Sequence, residues 1–171
     1  AKMKALYPMV GGTAAKHKFN FMDARDLDAA FRLTFNGGWT HSSTGALPNG
    51  TNAYADTYLN SSTQLTLNNI HLSFYGRTNS TSVASFIGSF NGTNRCHLLP
   101  NANTVSYNSI NTSSVYGGSA LTTNGLVLAS RLVSTTGISY KNGASVYSDN
   151  TTSDASPNLN IYLSALNLNN A

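Results

Sequence analysis

The chain has 171 residues, of which 40% are hydrophobic and only 9% are charged, and its formal net charge is +4. This length suits one domain that buries roughly 70% of the surface of its unfolded chain, and no apolar run is long enough to predict membrane insertion. The net positive charge comes from residues 1–25, which hold five basic residues and one acidic residue, whereas the remaining residues have a net charge of zero, so the chain lacks the basic stripe of a nucleic-acid-binding protein.

The first predicted element is a helical lead-in. Residues 1–7 have the composition of the end of a helix, and Pro8 followed by a Gly-Gly pair would terminate it. We therefore predict an N-terminal lead-in over residues 1–12, as the end of a helix or a linker, and a β domain over residues 13–171. Because the chain opens at alanine, we expect it to be a processed product or a piece of a longer protein.

The next segment predicts one further helical turn before the strands begin. Residues 23–30 contain three aspartates, and Asp23 or Asp26 would serve as the N-cap of that turn. Residues 30–35 then alternate apolar and polar side chains, which is the period of a strand. From this point onward the pattern is β.

The rest of the sequence predicts short strands separated by turns. Asn, Ser and Thr number 22, 22 and 19 and glutamate is absent, a composition that favours turns and strands over helix. Five Asn-Gly pairs, which adopt positive φ readily, begin at positions 36, 49, 91, 124 and 142. The clearest predicted strands cover residues 71–77, 84–89, 95–99, 126–133, 137–140, 144–147 and 159–166.

The sharpest local prediction is a hairpin over residues 138–146. Its centre is Asn142-Gly143, the pair that a type I′ turn prefers because both central residues need positive φ. Together with the regular spacing of the other strands and turns, this hairpin predicts an all-β fold, an antiparallel two-sheet sandwich or jelly roll.

Residues for catalysis are scarce. A glycoside hydrolase needs two carboxylates, and with no glutamate the chain has only six aspartates, all in turn-like or capping contexts: Asp23, Asp26, Asp28, Asp56, Asp149 and Asp154. No Gly-x-Ser-x-Gly elbow or phosphate-binding loop is present. We predict that the chain is not an enzyme, while a polysaccharide-cleaving jelly roll that uses an aspartate pair stays open as the alternative.

Metal and thiol chemistry is equally sparse. The four histidines, at positions 17, 41, 71 and 97, lie on separate segments without metal-ligand spacing, and the lone Cys96 reads as a small buried hydrophobe. Asp149, Asn150 and Asp154 could supply oxygen ligands to calcium, although an ordinary Asx turn is the preferred interpretation. We predict no cofactor.

A contact surface is the remaining candidate. The segment from Tyr107 to Ser119 combines tyrosine with serine, asparagine and glycine, the loop chemistry of antibody paratopes and of sugar recognition. Trp39 and Tyr54 are expected to pack in the core instead. The candidate ligand-binding residues are Tyr107, Asn108, Asn111, Tyr116, Tyr147, Asp149 and Asn150.

Several strings are similar to one known family, the concanavalin A-like, laminin-G-like domains of bacteriophage tail-fibre and related virion proteins. The opening strings are the most specific, whereas the hairpin turn and the last strand match almost any laminin-G-like sandwich. The resemblance covers nearly the whole chain and rests on KALYPMVGGT at 4–13, ARDLDAAFRLT at 24–34, GWTHSSTG at 38–45, PNGTNAYADT at 48–57, HLSFYGRT at 71–78, YKNG at 140–143 and NIYLSALN at 160–167.

The resemblance implies a two-sheet jelly roll that forms one module of a virion protein, on an external appendage or the capsid surface. Its expected partners are other virion subunits, copies of itself and host-surface glycans, and no catalytic residue is carried over. Relatives have a helical segment before this start and a strand and helix after this end, so we expect an open sheet edge that pairs with a neighbour. A purely architectural virion role and a bacterial extracellular surface are the alternatives.

Overall fold

The computed structural model describes residues 2–80, 86–102, 104–113 and 117–168. Within these ranges helix is limited to α1 (Ala14–His17), α2 (Ser61–Gln64) and a 3-10 turn at Asp28–Ala30. The strands are, in chain order, β1 (Thr34–Asn36), β2 (Trp39–Ser42), β3 (Gly45–Pro48), β4 (Tyr54–Asn60), β5 (Ile70–Gly76), β6 (Ile87–Phe90), β7 (Arg95–Ala102), β8 (Val105–Thr112), β9 (Gly117–Ser119), β10 (Gly125–Val133), β11 (Thr136–Lys141), β12 (Ala144–Asp149), β13 (Asn160–Leu163) and β14 (Asn167–Leu168).

The strands form two large sheets and one small hairpin. In the described part of the chain, eight strands make one sheet in the order β1-β4-β13-β6-β7-β8-β9, with β14 pairing with β6. Four strands make the other sheet in the order β12-β11-β10-β5, and β2 pairs with β3 alone. The contact of β14 with β6 is parallel, whereas the other pairings are antiparallel. The prediction of an antiparallel all-β domain is confirmed.

The hydrophobic core lies between the two large sheets. Side chains that point inward alternate with side chains that point outward, as the two-residue period of a strand requires. The inward set comes from both sheets and comprises Leu59, Cys96, Leu98, Ile110 and Ile161 from the eight-stranded sheet and Ile70, Leu72 and Ala129 from the four-stranded sheet. The prediction that Cys96 is a buried hydrophobe is confirmed, and burial raises the pKa of its thiol to about 12.

The predicted Asn-Gly turns are confirmed, because the glycine of each of the five pairs has positive φ. In the 138–146 hairpin, Lys141 pairs with Ala144 and leaves a two-residue loop in which φ is 49° at Asn142 and 86° at Gly143. Positive φ at both central residues defines the predicted type I′ turn. The turn fixes the register of β11 and β12, which shifts once, between Ser139 and Tyr140.

The helix predicted over residues 1–7 is wrong for the described residues 2–7. Residues 2–10 form neither helix nor strand. The backbone N–H of Leu6 donates to Oδ1 of Asn20 at 2.9 Å, its carbonyl accepts from Phe21 N–H at 2.8 Å, and Ala5 packs against the core. Bonds to residues 20 and 21 therefore take the place of helical bonds at Leu6, and a helix this short is not stable by itself.

The helical turn over residues 23–30 is shorter than predicted and is not capped by an aspartate. It covers Asp28–Ala30, and its N-cap residue Leu27 makes no side-chain capping bond. Asp23 instead pairs with Arg25, and Asp26 pairs with Lys18 and Arg32. Asp23 and Asp26 therefore form ion pairs with neighbouring cations and do not cap the turn.

Two observed strand boundaries differ from the predicted ones, at residues where the backbone turns sharply. The strand predicted over 30–35 starts only at Thr34, because Phe31 lies in the left-handed region with φ of 59°. The strand predicted over 159–166 is shorter than predicted, because β13 ends at Leu163, just before Ser164 with its φ of 63°, and β14 begins beyond the predicted range. Residues 84 and 85 of another predicted strand lie outside the described residues. No helix among the described residues is both long and apolar enough to cross a membrane.

Candidate functional site

The segment predicted as a binding loop, residues 107–119, lies mostly within two strands, β8 and β9. Tyr107, Asn108 and Asn111 belong to β8, so the loop interpretation is wrong for residues 107–112. Asn111 is fully buried, and its Nδ2 donates to the carbonyls of Thr66 and Leu67 at 3.3 and 2.8 Å. Asn108 is 8% exposed, Tyr107 is half-buried, and Tyr116 lies outside the described residues. Ligand binding at these residues stays a prediction.

Asp149 is buried in an ion pair with Arg131. The guanidinium NH2 group donates to Asp149 Oδ2 at 2.8 Å, and the two side chains are only 5% and 1% exposed. Nε and NH1 of Arg131 donate to the carbonyls of Ile110, Ser134 and Thr151 at 2.8, 2.9 and 2.9 Å. Because Arg131 lies on β10 and Ile110 on β8, this cluster joins the two sheets.

The second oxygen of Asp149 forms the predicted Asx turn, with the N–H of Thr151 donating to Oδ1 at 2.7 Å. Both carboxylate oxygens are therefore engaged, while Asn150 and Asp154 are exposed beside it. Tyr147 is half-buried and faces Gly118, where an added Cβ would come within 3.6 Å of its side chain. No cluster of three or more potential metal-binding side chains occurs among the described residues.

Two of the four histidines meet in space although the sequence separates them. Nδ1 of His17 and Nδ1 of His41 lie 2.9 Å apart, and the N–H of Gly12 donates to Nε2 of His17 at 3.2 Å. Since Nε2 accepts, Nδ1 of His17 is the donor to His41. Burial lowers the pKa of both imidazoles, and the neighbouring His41 lowers that of His17 further, while a hydrogen bond of His17 to the backbone of Ser42 raises it. The pair joins α1 to β2.

An acid and several tyrosines cluster on the outer face of the eight-stranded sheet. Asp56 accepts from the N–H of Tyr58 at 2.7 Å and from Nδ2 of Asn160 at 3.1 Å, and the rings of Tyr54 and Tyr162 stack 4.7 Å apart. Burial raises the pKa of Tyr162, and the Asp56 carboxylate raises it further. The rings pack on one another, and hydrogen-bond donors within the fold hold the carboxylate. We therefore interpret this cluster as structural packing.

The outer face of the four-stranded sheet is more open. A groove of about 370 Å³ runs across β5, β10 and β11 and is lined by His71, Leu126, Leu128, Ser130, Tyr140 and Gly143. The register places Ser130 beside His71 and Leu128 beside Tyr140, so all four side chains project from the same face. Tyr75 lies next to Leu126 on this face and is 68% exposed.

A second, polar cavity adjoins the groove at the end of the sheet. It measures about 440 Å³ and is lined by Tyr75, Gly76, Arg77, Thr122, Asn124, Gly125 and Asn142. Asn142 lies between the two spaces, because its side chain accepts from the N–H of Leu126 at 2.9 Å and its own N–H donates to the Leu126 carbonyl at 2.9 Å. Groove and cavity are thus lined by neighbouring residues of the same strands and turns, and we name the two together the outer-sheet site.

The outer-sheet site was not found by sequence reasoning. Its tyrosines come from strands 65 positions apart, and only the pairing of both strands with β10 brings them to one face. One signal was available, since the predicted hairpin already placed Tyr140 two positions before the turn residue Asn142. Comparison with protein-family models, with curated proteins and with solved structures finds no match for this chain.

Proposed function

We propose that this chain is a non-enzymatic adhesion module, a concanavalin A-like jelly roll in a phage-like fibre or decoration protein, that binds host-surface glycans at the outer-sheet site. The two facing sheets and the core between them support the sandwich part of this proposal. The resemblance of the sequence to virion proteins supports the location, on an external appendage or capsid surface, with a bacterial extracellular surface as the alternative.

The exposed tyrosines of the outer-sheet site carry the proposal. Tyr75 is 68% exposed and Tyr140 is half-buried, and β10 separates their strands. With strands 4.8 Å apart and a two-residue offset, their Cα atoms lie about 12 Å from each other, which suits an oligosaccharide better than a single sugar. An aromatic ring packs against the apolar face of a sugar, and the site offers two such rings.

The polar groups between and beside the rings match sugar hydroxyls. Ser130 and His71 line the groove, and Asn142, Asn124 and Thr122 line the cavity. These side chains offer hydroxyl, imidazole and amide groups, each able to donate or accept a hydrogen bond. Concave apolar surfaces with a few placed polar groups are typical of ligand sites.

Alanine substitution of the ring residues tests this function. On an array of bacterial surface polysaccharides, we expect the protein to bind at least one glycan and Tyr75→Ala and Tyr140→Ala to weaken that binding about tenfold or more, as for aromatic anchors in other interfaces. The matched control is Phe21→Ala, because Phe21 is 72% exposed but lies in the N-terminal segment.

Two results would contradict this function. One is the absence of binding to any glycan or cell envelope. The other is release of reducing ends from a bound polysaccharide that disappears in Asp56→Asn, since that would make the chain a polysaccharide-cleaving enzyme. A loss of binding in Tyr107→Ala with none in Tyr75→Ala would move the site to β8.

An architectural role is the second candidate, and the open edge of the four-stranded sheet favours it. The end strand β5 pairs only with β10 in the described chain, and residues 70–76 include no lysine, arginine, aspartate or proline that would block pairing with another strand. Light scattering over a concentration series tests this role. A stable oligomer that binds no glycan would support the architectural role and contradict the adhesion function. A monomer that binds glycans would exclude architecture as the sole function.

A further inference from the structure

The polar cavity of the outer-sheet site carries positive charge that no acid in the described chain balances. Arg77 lines this cavity, and Lys141 donates through Nζ to the carbonyls of Thr122 and Asn124, two of its lining residues. No carboxylate of the described residues lies within ion-pair distance of either cation. By contrast, Lys18, Arg25, Arg32 and Arg131 each pair with an aspartate.

Both cations are held in place by backbone carbonyls. NH1 of Arg77 donates to the carbonyl of Thr44 at 2.6 Å, and Lys141 Nζ reaches the Thr122 carbonyl at 2.7 Å. A guanidinium has five N–H donors, so Arg77 keeps a free edge after this one bond. Burial lowers the pKa of Lys141, and an anion bound nearby would reverse that effect. Anchored cations of this kind bind an anion without losing further side-chain freedom.

The position of the cations beside the tyrosines identifies the kind of anion. Tyr75 borders the cavity and pairs across the sheet with Leu126, which lines the groove. A glycan that spans the cavity and the groove therefore places one sugar ring against the tyrosines and a negative group of the neighbouring sugar beside Arg77. The planar fork of an arginine matches the two oxygens of a carboxylate.

From this arrangement we propose that the outer-sheet site selects acidic glycans, with the carboxylate of a uronic-acid type sugar bound at Arg77. This inference rests on the proposed glycan-binding function and narrows its ligand class. Because the negative group is expected to lie at the cavity, neutral glycans of the same linkage bind through the groove alone and more weakly.

Titration calorimetry with matched ligands tests the inference. The probes are oligogalacturonates, mannuronate and guluronate oligomers, and sialyl-oligosaccharides, each compared with its carboxyl-reduced counterpart. We expect at least one acidic oligomer to bind about tenfold or more tightly than its reduced form, a range typical of charge-assisted hydrogen bonds. We also expect Arg77→Gln to abolish that difference while binding of the reduced form is unchanged.

The control variant removes one arginine charge at a position outside the outer-sheet site. Arg95 lies on β7 of the other sheet, where its guanidinium packs on Phe90 at 4.2 Å, so Arg95→Gln should keep the preference for the acidic oligomer. Equal affinity for acidic and reduced oligomers, both weakened by Tyr75→Ala, would overturn the acidic specificity and leave glycan binding intact. No binding of either form would overturn both. A preference for sulfated over carboxylated oligomers would overturn the carboxylate assignment.

Discussion

Replacing Asp149 with alanine is expected to lower the free energy of unfolding by about 3 to 5 kcal/mol. The substitution leaves the guanidinium of Arg131, only 1% exposed, buried without a counter-charge. It also removes the acceptor for the N–H of Thr151. Urea unfolding followed by circular dichroism at pH 7 measures this loss of unfolding free energy. The loss is a large part of the total stability of a typical domain, which is about 5 to 15 kcal/mol.

The control for this substitution is Asp154→Ala. Asp154 is an exposed aspartate five positions further on, and its backbone N–H donates to the carbonyl of Asn111, a bond that the substitution keeps, so we expect a change within about 0.5 kcal/mol. The double variant Arg131→Met with Asp149→Leu should recover most of the lost stability, because no buried charge is left unpaired. A loss below about 1 kcal/mol for Asp149→Ala would contradict the stabilising role of this buried ion pair.

Acidification is expected to destabilise the domain through His97. This side chain is 4% exposed, neither ring nitrogen has a hydrogen-bond partner among the described residues, and burial lowers its pKa to about 4, with nearby Arg95 contributing. Its unfolded-state pKa is about 6.5, so the unfolded chain binds the proton first as pH falls. Stability is therefore full above pH 6.5 and declines as pH drops towards 4, by about 3 kcal/mol in total.

The variant His97→Leu separates this effect from other titrations. Leucine of similar size removes two unpaired buried nitrogens, so we expect stability at pH 7 to be equal to that of the parent chain or higher. Urea unfolding at intervals between pH 7 and 4 should show a shallower decline, with a remainder from His17 and His41, whose pKa values are also lowered. An unchanged decline in the variant would contradict the assignment to His97.

Local signals in the sequence predicted much of the fold. The five Asn-Gly turns and the 138–146 hairpin depend on φ preferences of adjacent residues, which a sequence displays directly. The N-terminal helix failed because Leu6 finds its partners at Asn20 and Phe21. Phe31 and Ser164, with φ near 60°, moved strand boundaries that alternation alone placed elsewhere.

The candidate site depended on contacts that sequence order conceals. The segment from Tyr107 reads as a polar loop, yet its first six residues belong to β8, which pairs with β7 and β9, and Asn108, Ser109 and Asn111 are buried there. Asp149 reads as a turn residue, and it is one, but its buried partner Arg131 lies 18 positions away. The outer-sheet site requires the pairing of three strands, which composition and spacing do not reveal.

Amide chemical-shift mapping tests the central claim most directly. The uniformly labelled chain is titrated with the acidic oligosaccharide that it binds most tightly, and its amide spectrum is followed. We expect the shifts to concentrate on residues 71–77, 122–130 and 140–143. Shifts confined to residues 105–112 on β8, or none at saturating ligand, would contradict glycan binding at the outer-sheet site.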